Sequence, residues 1–133
     1  MADLQLTFPA AAEHVARARA AVAGYASRFV DHGTLAGVIV ATGEAATELV
    51  EGADASAALT VEVHRIGTDL VVTLRRTGPG VAPRRGLGAR LLDALAAEVS
   101  RTSGPDGAEV ALTFRASPAG APAGRRAPLA ASS

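Results

Sequence analysis

The chain has 133 residues, long enough for one compact domain with its own core and short for two. Thirteen basic residues balance thirteen acidic ones, which removes the net positive field that non-specific nucleic-acid or anionic-membrane binding draws on. The lack of Cys excludes disulfides and thiolate metal sites, and the scatter of the three His residues, His14, His32 and His64, argues against a zinc site.

Leu4, Leu6 and Phe8 alternate with polar or small neighbours, which predicts a short strand ending at Pro9. The period then changes. Val15, Ala18, Val22, Ala26 and Phe29 recur every three or four residues, a helical stripe that Gly33 is expected to end in a left-handed cap. A second stripe runs through Leu35, Val38, Ile39, Thr42, Ala45, Ala46, Leu49 and Val50 and stops at Gly52. Gly37 and Gly43 each weaken this helix by about 1 kcal/mol relative to Ala, so burial must compensate and the helix is expected to be central.

Leu59, Val61 and Val63 alternate, Gly67 to Asp69 make a turn, and Leu70, Val72 and Leu74 alternate again, which predicts a hairpin. A Gly/Pro-rich loop over 78–85 follows. Leu91, Leu92, Leu95 and Val99 mark a third helix, and Val110, Leu112 and Phe114 a final strand. From 117 onward the composition falls to Ala, Pro, Gly, Ser and Arg without apolar periodicity, so 117–133 is expected to be a disordered tail behind one domain over 1–116. Only Phe8, Tyr25, Phe29 and Phe114 are aromatic, so the core must be built from Ala, Val and Leu. No basic-then-apolar leader opens the chain, and no segment is expected to reach the roughly 20 apolar residues that span a bilayer. The expectation is a soluble, cytoplasmic protein whose three helices cover one face of a mixed, mostly antiparallel sheet.

The second helix carries Glu44, Glu48 and Glu51 on neighbouring turns of one side. This ridge lies in the C-terminal half, where the macrodipole disfavours negative charge, and no Arg three or four residues away relieves it. The spacing fits the solvated face of an Ala-rich helix, and it fits a site for a cation, an activated water or an Arg from elsewhere in the chain. Gly78 and Gly80 permit close backbone approach, and Gly86 and Gly88 leave N–H groups open at a helix start, where Arg84 and Arg85 would reinforce an anion site. Ordinary turn and cap roles explain the same glycines.

Gly43-Glu44-Ala45-Ala46-Thr47-Glu48-Leu49-Val50-Glu51-Gly52-Ala53 resembles the signature helix of the anti-sigma-factor serine kinases, close to EAxTNAxxHA. Arg76-Thr77-Gly78-Pro79-Gly80 resembles that family's DxGxG loop, Gly86-Leu87-Gly88 its GxGL helix start, and Gly107-Ala108 the GT pair before the last strand. The resemblance covers about 4–115. It implies the Bergerat-type ATP-binding sandwich of the histidine kinase, gyrase and Hsp90 superfamily, an α+β two-layer fold. It also implies ATP and magnesium as cofactors, a homodimer, and a sigma factor or anti-anti-sigma-type protein as partner.

Carried over residue by residue, the resemblance makes Glu44 the catalytic base and puts Glu48 at the magnesium-binding Asn. Arg76, Gly78, Gly80, Gly86, Gly88 and Gly107 fall at nucleotide-binding positions. The departures are concentrated on nucleotide reading. Arg76 replaces the Asp that accepts from the adenine amino group, and a guanidinium has only donors. Ala108 replaces the supporting Thr and Gly52 the signature His, and the 81–85 lid is short. Strand parity sets Arg76 with Leu70, Val72 and Leu74, aimed at the helix layer, where it is expected to pair with Glu48 or Glu44. The expected function is therefore an anti-sigma-factor-like regulator that binds protein partners with ATP binding lost or weakened. An active ATP-dependent serine kinase is the alternative.

Overall fold

The computed structural model describes residues 2–78 and 87–115. The expected 117–133 tail, the 79–85 part of the Gly/Pro-rich loop and Gly86 lie outside them. Strand β1 (Leu4–Pro9) leads through a 3-10 turn (Ala12–His14) into α1 (Val15–Ala26) and α2 (His32–Glu51). The hairpin β2 (Ala58–Ile66) and β3 (Asp69–Thr77) follows, then α3 (Leu87–Leu95), β4 (Glu98–Gly104) and β5 (Gly107–Arg115). The five strands form one sheet in the order β1-β2-β3-β5-β4, and every pairing is antiparallel.

One face of this sheet is apolar because every second residue is. Leu59, Val61 and Val63 of β2, Leu70, Val72 and Leu74 of β3, and Val110, Leu112 and Phe114 of β5 are all buried. They meet Val22, Val38, Leu49 and Leu92 from the helices, each side chain gaining about 1.5–3 kcal/mol by leaving water. Phe114 is the only aromatic residue of the buried core; Phe8, Tyr25 and Phe29 pack at its margin. The α+β two-layer sandwich with three helices on one face is the architecture expected.

Helix α2 is the centre of that layer. It contacts α1, α3 and strands β2, β3 and β5, which is how it tolerates two interior glycines. Arg19 of α1 lies against Gly43, with its Cδ 2.7 Å from where a Cβ would stand. Burial of Val38, Ala41, Ala45, Ala46 and Leu49 accounts for a composition that, by length and a mean hydropathy of 1.2, would suffice to cross a membrane. The expectation that no segment reaches that threshold is corrected here.

Two further boundaries differ from the sequence reading. Gly33 does not end the first helix in a left-handed cap: α1 stops at Ala26, and Asp31 caps α2 by accepting from the Thr34 N–H at 2.8 Å, so Gly33 lies inside the first turn of α2. Val99 belongs not to a third helix but to β4, because α3 ends at Leu95 and Gly104-Pro105-Asp106-Gly107 turns the chain back as a hairpin. Between α2 and β2, Asp54 accepts from the Ser56 N–H and hydroxyl, which holds its carboxyl below the usual range. That exposed turn therefore adds its stability above the unfolded pKa and loses it as pH falls through the folded one.

Thr42 is fully buried on α2, and its hydroxyl has no hydrogen-bond partner among the described residues. Replacement by the isosteric Val removes a desolvated hydroxyl without opening a cavity. Thr42→Val is expected to raise unfolding free energy by about 1 kcal/mol; an unchanged or lower urea midpoint would contradict this.

Candidate functional site

The carboxylate ridge of α2 divides between three environments. Glu51 at the helix end is exposed. Glu48, one turn earlier, is only 8% exposed, and a carboxylate so buried requires a counter-charge. Arg101 supplies it from β4: its Nη2 donates to Oε1 at 2.9 Å and its Nε to Oε2 at 3.4 Å. Both oxygens of Glu48 are thus taken by one planar fork. A hard cation at Glu48 would have to displace that fork, and among the described residues no group of three His, Asp or Glu could hold a metal ion.

Glu44, a further turn back and half-buried, makes no ion pair among the described residues. Its Oε1 lies 2.9 Å from the position a Cβ would take on Gly88, in the first turn of α3. A helix start is a favourable place for a carboxylate. Glu44 and Gly88, two of the expected site residues, are thereby brought together, and any side chain at 88 would press on the carboxylate.

Arg76 is 1% exposed and is the largest fully buried side chain of the core. It sits on the helix-covered face, as strand parity requires, between Leu59 of β2 and Ala108 of β5. Among the described residues no salt bridge joins Arg76 to Glu48 or Glu44; the ion pair on Glu48 is made by Arg101. In the register, Arg101 faces Val110, which faces Leu74, so the two arginines stand on adjacent rows of one face. A guanidinium rather than an acceptor therefore lies in the sheet floor.

Gly78 and Gly107 fix the floor's end. Gly78 has φ +105, donates its N–H to the Asp106 carbonyl at 2.9 Å, and packs with Ala57. At Gly107 a Cβ would collide with the carbonyl oxygen of Arg76. Both glycines thus serve close backbone approach at the site's edge. A cavity of about 300 Å³ at this end is bounded by Arg76, Ser103, Gly107 and Ala108 among others, at the lower limit for a small-molecule pocket. Gly80 and Gly86, with Arg84 and Arg85, lie outside the described residues.

Arg101 is the member that sequence reading missed. Its signal was the pattern Val99-Ser100-Arg101 before a Pro-Asp-Gly turn, an alternation with a charge at an inward position.

No protein-family model matches the chain, and no curated protein matches it. Among solved structures, it superposes on the RsbU and RsbW domains of Rv1364c from Mycobacterium tuberculosis, with a TM-score of 0.68 and 19% identity. The likeness is one of fold. It covers 85% of this chain but 32% of the other, so the chain spans about a third of that neighbour's length.

If Gly107 is a packing requirement rather than a sheet-propensity accident, its neighbour across the turn supplies the control. Gly104 has open space where a Cβ would stand. Gly107→Ala is expected to cost more than about 1 kcal/mol and Gly104→Ala almost nothing; equal effects on the urea midpoint would refute the assignment.

Proposed function

We propose that this protein is an anti-sigma-factor-like regulator that acts by protein–protein binding, with the nucleotide chemistry of its fold lost or greatly weakened. The observation that carries this reading is that two of the positions the resemblance assigns to nucleotide and metal hold buried charges of the protein's own. A buried guanidinium, Arg76, lies where the resemblance puts an adenine-reading carboxylate, and it offers the base amino group no acceptor. The carboxylate at the magnesium-binding position, Glu48, is held on both oxygens by Arg101. A nucleotide with its metal would have to break a buried ion pair and leave a charge uncompensated, at a cost of several kcal/mol.

Several features support the regulatory side of the reading: the signature-helix resemblance over 43–53, the order of the four motifs, and a fold shared with a chain that carries RsbU and RsbW domains. The partner class is a sigma factor or an anti-anti-sigma-type protein, met in the cytoplasm by a homodimer. Balanced charge favours a protein over nucleic acid or membrane as that partner.

A second reading, an ATP-dependent protein serine kinase, is favoured by one observation. Glu44, at the position the resemblance gives to the general base, is a half-buried carboxylate without an ion pair among the described residues, beside the α3 start.

Calorimetric titration with ATP and Mg²⁺ separates the two. The regulatory reading expects no binding heat at micromolar ligand. A saturable isotherm with micromolar Kd would overturn it in favour of the kinase.

A further inference from the structure

Strand β4 is one of the two edges of the sheet, and its sequence gives it little to hold on to. Of its seven residues only Val99 and Arg101 are even half-buried. Its contacts with α3 are sparse, whereas its ladder with β5 is complete from Glu98 to Gly104. The Arg101 fork on Glu48 is therefore the polar tie between this edge and the helix layer, reaching the helix that contacts most of the domain.

The same hairpin holds the end of β3. Its turn accepts the Gly78 N–H at the Asp106 carbonyl, and Gly107 lies directly against the Arg76 carbonyl. A displacement of the β4–β5 turn therefore moves the backbone that positions Arg76. One continuous set of contacts runs from Glu48 through Arg101 and the 104–107 turn to Gly78.

We propose that the Arg101–Glu48 pair is a latch: it closes the edge hairpin onto α2 and thereby fixes the end of β3 at the cavity. Opening it releases β4, the 104–107 turn and the last residues of β3 as one local unit, while the rest of the sheet stays formed. A partner or ligand that engages Glu48 or Arg101 would bias this unit, since any group that competes for one half of the pair opens the other. The latch stands whether or not a nucleotide binds, so it goes beyond the functional reading above.

Amide hydrogen exchange on the full chain tests it. Arg101→Gln is expected to raise exchange about tenfold or more at the amides of 99–104 and 106–109 and at Gly78, while the 59–65 amides of β2 change less than about twofold. Glu48→Gln, which keeps the side chain's shape and an acceptor for Arg101, is expected to give the same pattern at reduced size. Should Arg101→Gln not fold, Glu48→Gln decides by that pattern. Uniform acceleration across the sheet, or unchanged exchange in the hairpin, would overturn the latch. Added ATP and Mg²⁺ serve as a separate arm: new protection of the wild-type protein would count against the functional reading and leave the variant ratios unaffected.

Discussion

Helix α2, the centre of the helix layer, carries three carboxylates, and its own sequence provides no cation to balance them. The helix can be central only if the most buried of the three, Glu48, is neutralised from outside. Arg101 does this from the far edge of the sheet, through a forked contact in which both oxygens of the acid are satisfied. That contact ties the edge strand β4, already paired along its length with β5, to the helix layer. Such a pair adds little net stability over an apolar one, but it fixes which edge strand faces which helix turn, because either charge alone would be costly.

Much of the fold could be read from periodicity. The β2–β3 hairpin is where alternation is clean, and the burial of Leu59, Val61, Val63, Leu70, Val72 and Leu74 follows it residue by residue. The same parity carried Arg76 inward, against the ordinary preference of an arginine for solvent, and there it lies. Centrality of α2 was legible from the two glycines that only burial could offset.

What the sequence concealed has a common cause. Strand β4 went unread because its inward positions hold Val99 and an arginine rather than two apolar residues, so the hydrophobic alternation that marks a strand is half missing. The reason the arginine is tolerated, Glu48, lies 53 residues away. For the same reason the ion pair on Glu48 was expected from Arg76: both arginines lie on the helix-covered face, and it is Arg101 that makes the fork. The Gly33 boundary failed locally, because an Asp31 cap two residues earlier offers the chain a helix start that competes with a glycine stop.

The central claim is that Glu48 and Arg101 interact directly in a desolvated setting, and a double-mutant cycle on equilibrium unfolding measures that most directly. With Glu48→Leu, Arg101→Met and the double variant, the single changes are expected to cost about 3–5 kcal/mol and the double to recover most of it. The coupling is then at least about 2 kcal/mol. Additive effects, with coupling below about 0.5 kcal/mol, would contradict the pairing on which the structure of the site depends.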